Sequence, residues 1–410
     1  MTLKSLIKQS LEHLDRADPR SALYFTEKAK SQSPKNYKAL FLNGLTLLLL
    51  GRFSEAMNDL QTALSMSPED PDIHTYLGRC FMALRDNKNA LNHFRESGRL
   101  KAQSANISDS NLSIPRFRFK HDLEQLEALK QKRGLNEINS ASLSAFQNLW
   151  GQLGEVTVSE NITIPVSSPW FESISHFYNN HVHSEPGSTI ASGALNSDLD
   201  SKDLSNTYLA SGLQVLVIDN FLSAKALKEM RNHCHYSTMW SRDMANGYLA
   251  TTLEDNFACP LVFQIADELR DLLPEVMQDH RLSYAWAFKY DSTLKGVPVH
   301  ADDAAINVNF WITDGESNRS PETGGIIIWN KKAPAEWDFE AYNAMDSVER
   351  IREYLQNENA EGVRIPHQAN RAVIFDSDLL HETDHIDFKD DYMARRINIT
   401  YLYGVCRAAR

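Results

Sequence analysis

The sequence predicts a protein in two parts, an N-terminal array of helical repeats and a C-terminal antiparallel sandwich or open barrel with helices packed outside it. Three observations support this fold class. A period of 34 residues runs through the first quarter of the chain, a stretch rich in Ser, Asn, Gly and Asp lies at 179–203, and short alternating segments fill the back half. A chain of 410 residues, 42% of them hydrophobic, is long enough for two or three packed domains.

The first quarter repeats with small residues and prolines in register. The matching positions are Ala22, Ala56 and Ala90, then Gly44 and Gly78, then Pro34 and Pro68. Two antiparallel helices per unit explain this pattern, because small residues let helices approach closely and proline ends the second helix. Residues 1–104 therefore resemble tetratricopeptide repeats, a resemblance that implies a surface for a peptide or another protein.

The segment 105–205 carries a weaker signal, and we expect a linker region of helices and loops there. Residues 121–134 have helical spacing and end in a glycine, whereas 179–203 are typical of a loop. Residues 206–410 form the third predicted domain.

The back half contains short segments with strand-like alternation, separated by turn residues. They are 213–222, 284–290, 296–302, 305–313, 324–330, 371–377 and 396–404. Ser223 is expected to cap a helix, and 263–276 has the pattern of an amphipathic helix. This succession predicts strands in a sandwich or barrel, with helices packed outside.

One pair of residues in this region suggests a metal site. The chain has four His-x-Asp/Glu matches, beginning at His13, His183, His300 and His385, and roughly two are expected by chance, so the surroundings must decide. Only His300 and Asp302 lie on a predicted strand, where residues two apart share a face. His381, just after the strand 371–377, would complete a set of two imidazoles and one carboxylate, the ligand set of non-haem Fe(II) oxygenases.

Two other residues compete for these roles. His385 lies four positions after His381, and Asp303 directly follows Asp302. We prefer His381 because it directly follows the strand, and Asp302 because Asp303 would point to the other face.

The last predicted strand adds an anion site. Alternation places Arg396 with Asn398 and Thr400 on one face and Arg395 outward with the isoleucines. An inward arginine favours an anionic ligand, because a guanidinium can hold a carboxylate with two charge-assisted hydrogen bonds.

A neighbouring strand presents further polar residues. Asn307 and Asn309 share one face of 305–313 with Trp311. They would either line a cosubstrate pocket or belong to a half-buried strand whose amides are hydrogen-bonded.

Four stretches of residues 206–410 resemble the 2-oxoglutarate/Fe(II)-dependent dioxygenases, closest to their prolyl hydroxylase branch. They read YDSTLKGVPVHAD, GGIIIW, VIFDSDLLHETD and RINITYLY. The resemblance implies a double-stranded β-helix of the jelly-roll or cupin type, with iron held by His300, Asp302 and His381. It also implies the cosubstrates 2-oxoglutarate and dioxygen, with ascorbate as an accessory reductant.

The same resemblance assigns two further positions. Arg396 would bind the distal carboxylate of 2-oxoglutarate, and Tyr290 would hydrogen-bond the same group. The interval between His381 and Arg396 is longer than is usual in prolyl hydroxylases, with FKDDYMAR inserted. This departure puts in doubt whether the substrate resembles that of prolyl hydroxylases. It affects the predicted cosubstrate site less.

The resemblance implies hydroxylation of a C–H bond, with release of succinate and carbon dioxide, on a protein or peptide that the repeats recruit. A small-molecule or carbohydrate hydroxylase is the alternative within the class. Two further hypotheses lie outside this class. One is a non-catalytic repeat scaffold with an idle barrel, and the other is a cupin-like zinc or manganese enzyme. An inward Arg396 argues against the zinc or manganese enzyme, because a metal hydrolase does not need a buried residue that binds an anion.

Composition limits the partners. A formal net charge of −12 argues against nonspecific binding to nucleic acid or to an anionic membrane. The four cysteines form no Cys-x-x-Cys pair, which indicates reduced thiols in a cytoplasm.

One insertion is expected between two barrel strands, at residues 333–365. It contains Trp337, Phe339 and Tyr342, and the spacing of Met345, Val348, Ile351 and Leu355 predicts a helix. We expect it to pack over the barrel mouth and contact substrate, or to be a plain structural cover.

Overall fold

The computed structural model describes residues 1–104, 111–153, 161–277, 280–291, 295–334, 337 and 347–405. Helical repeats, a small middle layer and two β-sheets follow one another along the chain. Across the described ranges, no helix combines the length and the apolar character needed to cross a bilayer. The described cysteines, Cys80, Cys234 and Cys259, are buried free thiols, and Cys406 lies outside the described residues.

The repeat array consists of three helical hairpins. Its helices are α1 (Leu3–Asp15), α2 (Pro19–Gln32), α3 (Tyr37–Leu49), α4 (Phe53–Met66), α5 (Pro71–Ala83) and α6 (Asn87–Ser104). Helices α2 and α4 end two residues before Pro34 and Pro68, as predicted. The third unit has Ala102 at the equivalent position, and α6 continues through it to Ser104.

The recurring small residues lie where the paired helices touch. A Cβ atom added at Gly44 would come within 2.7 Å of the Leu60 side chain, and one at Gly78 within 2.9 Å of Phe94. Ala22, Ala56 and Ala90 have no exposed surface. The structure therefore confirms the predicted repeats, both as pairs of helices and in the close helix contacts at their small residues.

The middle segment has a core of its own. Its elements are β1 (Asn111–Pro115), α7 (Arg116–Arg133), α8 (Glu137–Leu153), β2 (Asn161–Pro165), α9 (Pro169–Ser175) and α10 (Ser201–Ala210). Strands β1 and β2 pair antiparallel, and Phe119, Phe146 and Ile162 belong to the core between the helices and this pair. Helix α7 ends before Gly134, whose φ of 76° suits glycine, as the sequence predicted. Helix α10 runs across position 205, where the sequence places a boundary.

Two antiparallel sheets form the C-terminal part. The larger contains β3 (Val215–Ile218), β10 (Ala372–Asp376), β7 (Ile306–Trp311), β12 (Ile397–Tyr403), β6 (Leu282–Tyr290), β5 (Tyr248–Thr252) and β4 (Arg242–Met244), in that order. The smaller contains β11 (Leu379–Thr383), β8 (Ile326–Lys332) and β9 (Gly362–Ile365). Trp311 and Phe375 of the larger sheet share a buried core with Ile328 of the smaller, so the sheets face one another as in a double-stranded β-helix.

Helices cover the other face of the larger sheet. They are α11 (Ala224–Tyr236), α12 (Pro260–Leu272) and α13 (Pro274–Met277), and Ser223 caps α11 as predicted. The hydroxyl of Tyr401 donates to the carbonyl of Val262 and joins the sheet to α12. Phe94 of α6 stacks on Phe263 of α12 at 6.3 Å, so the last repeat packs against this helical layer.

Two strand predictions need correction. Residues 296–302 do not form a strand. Their β-type backbone pairing is an isolated antiparallel bridge between His300 and His381. His381 does not simply follow the preceding strand, because it lies within the separate short strand β11. The sequence also missed β4, β5 and β9, which are short and lack a clear alternating pattern.

The insertion forms one described helix, α14 (Val348–Asn357). Phe339, Tyr342 and Met345 lie outside the described residues. Ile351 and Leu355 are buried in one cluster with Val299, Ala301 and Leu380, the residues that flank the predicted ligands. The described helix therefore packs against the back of these segments, as a structural cover would.

Candidate metal and cosubstrate site

Three side chains converge between the two sheets. His300, Asp302 and His381 offer ligand atoms that all lie within 4.8 Å of one another. The Nε2 of His300 is 3.8 Å from Asp302 Oδ1, and the Nε2 of His381 is 3.4 Å from Asp302 Oδ2. The two backbone hydrogen bonds of the His300–His381 bridge bring the imidazoles together, although 300–302 are not a strand.

Backbone carbonyls orient both imidazoles. His300 Nδ1 donates to the carbonyl of Pro298 at 2.8 Å, and His381 Nδ1 donates to that of Leu379 at 2.9 Å. Because a carbonyl can only accept, Nδ1 carries the proton in each ring and Nε2 keeps its lone pair. Both lone pairs therefore remain available toward Asp302, as a metal ligand requires.

A chain of amide hydrogen bonds supports Asp302. Asn307 donates to Asp302 Oδ2 at 2.5 Å, and Asn309 donates to Asn307 at 2.7 Å. Asn398 and Thr400 of the adjacent strand both donate to Asn309 Oδ1 at 2.7 Å. This chain fixes Oδ2 of the carboxylate, and its amides do not bond Oδ1.

Burial and neighbouring charges set the ionisation of the cluster. Burial, together with the nearby His381, lowers the pKa of His300 to about 4. Burial alone would raise the pKa of Asp302, but the adjacent His381 and His300 imidazoles and the hydrogen bond from Asn307 lower it overall. At neutral pH the cluster therefore offers a neutral imidazole and an ionised carboxylate, the protonation states that a metal binds.

Arg396 lies in the same cavity and is 2% exposed. Its Nε donates to the carbonyl of Gly324 at 2.6 Å, and its Nη2 donates to that of Gly325 at 3.0 Å. Nη1 is buried and has no hydrogen-bond partner among the described residues. Nε and Nη2 each use one N–H on these carbonyls, so both N–H groups of Nη1 and the second N–H of Nη2 are left for a carboxylate.

The glycine pair in GGIIIW is required by this contact. Gly324 has a φ of 81°, in the left-handed region that favours glycine. A Cβ atom at Gly325 would lie 1.9 Å from the carbonyl oxygen of Ile365. Larger residues would displace the two carbonyls that hold Arg396.

Aromatic side chains complete the cavity, which encloses about 370 Å³ including its mouth. Tyr290 is 2% exposed, and the Arg396 guanidinium carbon lies 4.6 Å from its ring centre. Trp286 and Phe288 line the mouth from the same strand, with ring centres 6.0 Å apart. Neither residue was predicted from the sequence, although alternation along β6 places both on the face of Tyr290.

The competing residues lie elsewhere. His385 is exposed and does not join the cluster, and Asp303 lines a separate cavity with Phe53 and Arg79 of the repeats. Arg395 lies on the opposite face from Arg396, as alternation predicts, but it is buried and not outward-facing. Its guanidinium pairs with Glu124 of α7 at 2.6 Å and with Asp291 at 2.9 Å.

The residues present fit an iron ion and a dicarboxylate cosubstrate. The donor set of two imidazole nitrogens and one carboxylate suits Fe(II) and leaves coordination positions for other ligands. The unpartnered Nη1 of Arg396 suits a carboxylate, because an unsatisfied buried donor costs about 1–3 kcal/mol.

Comparison with known proteins finds sequence relatives of the N-terminal repeats. Residues 15–97 match the family described as "Anaphase-promoting complex, cyclosome, subunit 3". A tetratricopeptide repeat and J domain-containing co-chaperone of Fusarium oxysporum f. sp. lycopersici is 32% identical over 79 residues. That match covers 19% of this chain and 15% of the co-chaperone.

Two solved structures align with about half of the chain. The non-heme alpha-ketoglutarate-dependent carbocyclase SnoK, from nogalamycin biosynthesis, is 12% identical, with a TM-score of 0.38, and the alignment covers 52% of this chain and 87% of SnoK. HygX from Streptomyces hygroscopicus, solved with nickel, 2-oxoglutarate and hygromycin B bound, is 13% identical, with a TM-score of 0.35. Here 49% of this chain and 86% of HygX are covered. The chain combines tetratricopeptide-like repeats with a double-stranded β-helix.

Proposed function

We propose that this protein is an Fe(II)/2-oxoglutarate-dependent dioxygenase that hydroxylates a C–H bond of a protein or peptide. The main support is one cavity that holds both the His300, Asp302 and His381 cluster and the free Nη1 of the buried Arg396. A metal hydrolase would need the cluster alone, whereas a cosubstrate with two carboxylates needs both.

Each group has a defined task in this proposal. His300, Asp302 and His381 would hold the iron, and Arg396 would bind the distal carboxylate of 2-oxoglutarate. When bound, iron and 2-oxoglutarate supply oxidative decarboxylation by dioxygen to succinate and carbon dioxide, coupled to hydroxylation of substrate. Ascorbate would serve as an accessory reductant.

The chain's own residues orient the ligands and limit access of water. Asn307 holds one oxygen of Asp302, and carbonyls fix both imidazoles. The His300, Asp302 and His381 side chains are 17%, 12% and 4% exposed, so little solvent reaches the cluster. A positioned and nearly dry site favours one outcome over uncontrolled oxidation.

The position of the repeats favours a macromolecular substrate. Arg79 of α5 donates to the carbonyl of Ser283 at 3.1 Å and lies 5.3 Å from the ring centre of Tyr284. Tyr284 precedes Trp286, which lines the cavity mouth, on the same face of β6. A segment held by the repeats would therefore lie next to the site. The free buried thiols suit a reducing compartment, and we propose the cytoplasm.

A small-molecule or carbohydrate hydroxylase is the second candidate. The enclosed position of the cluster favours it, because its three side chains are at most 17% exposed. The repeats would then serve assembly.

Turnover of 2-oxoglutarate tests the proposal. Purified protein would be supplied with Fe(II), 2-oxoglutarate and dioxygen, and succinate would be measured by NMR. We expect succinate from the wild type and at least a 100-fold loss in Asp302→Ala. Equal succinate formation by both proteins would refute the assigned metal site.

A further inference from the structure

A second cavity lies where the last repeat helix meets the middle segment. Its narrow part encloses about 790 Å³ including its mouth, and it continues into a wider part of about 1420 Å³. Both parts are lined by Gly98, Ala102, Asn180, His181 and Asn256, so they form one elongated cleft. None of the iron-site residues lines this cleft, which is therefore distinct from the site described above.

The closed end of the cleft presents an incompletely bonded arginine. Arg118 of α7 is 3% exposed and lines the narrow part. Its Nε donates to both oxygens of Asp122 at 2.9 and 2.8 Å, and its Nη2 donates to Asn179 at 3.2 Å. Nη1 is buried without a partner among the described residues. A ligand with a carboxylate or carbonyl oxygen would satisfy this donor and recover its desolvation cost.

The open part of the cleft carries two arginines of α6, Arg95 and Arg99, of which Arg99 also pairs with Glu96 of the same helix at 2.6 Å. Arg95, Arg99 and Lys101 of α6 line the two parts, and no Asp or Glu lines the wider one. In the narrow part the charges balance, because Arg118 pairs with Asp122 at 2.8 Å, Arg242 with Asp255 at 2.5 Å and Lys101 with Glu254 at 3.9 Å.

We propose that this cleft binds an acidic, extended segment of a partner protein, with one carboxylate on Arg118 Nη1. The remaining acidic side chains would lie along Arg95 and Arg99. The inference rests on the recruitment part of the proposed function and does not depend on the iron chemistry.

Several features favour a peptide over other anions. The cleft is longer than a small dicarboxylate needs, and Asn179, Asn180 and Asn256 line it with amide groups that can bond a peptide backbone. A nucleic acid would need many phosphate contacts, which a chain with a formal net charge of −12 and this small group of cations does not offer.

Binding of a labelled hexaglutamate peptide to the full chain tests the inference. Fluorescence anisotropy at about 0.15 M salt would follow binding, since exposed charges are still partly felt there. We expect saturable binding that Arg95→Glu weakens about tenfold, because it reverses an exposed charge on the cleft wall. Lys4→Glu, the same charge change on the exposed face of α1, should weaken binding less than twofold.

A second variant probes the closed end. Arg118→Lys keeps the charge but removes the free third nitrogen, and we expect about tenfold weaker binding with an unchanged circular dichroism spectrum. If this variant unfolds, Arg95→Glu still decides the question.

Four results would overturn the inference. They are absence of saturable binding, equal weakening by Lys4→Glu, complete competition by glutarate at the peptide's own concentration, and tighter binding of a single-stranded oligonucleotide. Asp302→Ala should bind the peptide normally although it loses turnover of 2-oxoglutarate. Failure of the cleft and failure of the iron site are therefore distinguishable.

Discussion

The amide of Asn307 donates to Asp302 Oδ2 at 2.5 Å and so connects the carboxylate of the cluster to a chain of buried amides on two strands. Such partners of a metal ligand fix its orientation before the metal arrives. Asn307 was expected from sequence to line a cosubstrate pocket or to be a hydrogen-bonded strand amide. Its partner is Asp302, which makes it a positioning residue in our proposal.

Removal of this amide should weaken metal binding. We expect Asn307→Ala to lower Fe(II) affinity about 10- to 100-fold, because Asp302 would lose its fixed orientation. Anaerobic titration would measure the affinity. Asn318→Ala is the matched control, since Asn318 is a buried amide that donates to Thr323 and not to a ligand. An equal loss in both variants would show a general effect of stability.

Substitutions of the neighbouring Arg396 and Arg395 should have different effects, the first on cosubstrate binding and the second on folding stability. We expect Arg396→Lys to weaken 2-oxoglutarate binding about 10- to 100-fold, because a charge-assisted hydrogen bond contributes about 1.5–3 kcal/mol. Arg395→Lys should instead lower the free energy of unfolding, because Glu124 and Asp291 would lose their bonded partner. Calorimetric titration and urea unfolding measure the two effects. If Arg395→Lys weakened cosubstrate binding as much as Arg396→Lys, the assignment of Arg396 would be wrong.

The packing behind the ligands should influence stability. Ile351 of α14 is fully buried against Val299, Ala301 and Leu380. We expect Ile351→Ala to lower the free energy of unfolding by about 2–5 kcal/mol and Ile351→Val by about 0.5–1.5 kcal/mol. Urea denaturation would measure both values. A negligible effect of Ile351→Ala would contradict the contact of α14 with the ligand segments.

The repeat glycines should tolerate no side chain. We expect Gly78→Ala to cost about 1–3 kcal/mol, because its Cβ would lie 2.9 Å from Phe94. Gly151→Ala, in an exposed helical position with nothing within 4 Å, should stabilise by about 0.5–1 kcal/mol. Opposite signs in thermal unfolding are the expected result, and a stabilising Gly78→Ala would contradict the described contact.

Stability should fall as the medium becomes acidic. Burial, with His74 alongside, lowers the pKa of His93 to about 4 from an ordinary value of 6.5. Between these values the unfolded chain binds a proton that the folded chain does not, so folding stability is full above pH 6.5 and declines toward pH 4. His367, with its pKa lowered by burial to about 3, adds to the same trend.

Urea midpoints at several pH values between neutrality and pH 4 would measure this loss. His93→Gln should show a shallower decline than the wild type, because glutamine does not titrate. An identical pH profile for the two proteins would show that His93 does not contribute.

The sequence predicted those parts of the fold that depend on local pattern. Strands β6, β7, β8, β10 and β12 alternate clearly and are bounded by turn residues, and all five were found. The repeat helices were found because small residues recur at contacts such as Gly78 with Phe94. Strand β9 was missed because Gly362–Ile365 is mostly exposed and only four residues long.

Long-range contacts explain what the sequence could not give. His381 lies beside His300 and within the short strand β11 that follows β10, and the bridge between the two histidines is a tertiary contact that the sequence does not display. The burial of Arg395 depends on Glu124, which is 271 residues away. The cleft at Arg118 combines residues of five separate segments, and no local pattern indicates it.

The charge-transfer absorption of the iron complex tests the central claim most directly. Metal-free protein would be titrated under anaerobic conditions with Fe(II) and 2-oxoglutarate, beside Asp302→Ala and Arg396→Lys. We predict a visible band in the wild type, its loss in Asp302→Ala and a higher 2-oxoglutarate requirement in Arg396→Lys. Iron binding without any band in the wild type would contradict the proposed dioxygenase and favour a repeat scaffold with a differently metallated barrel.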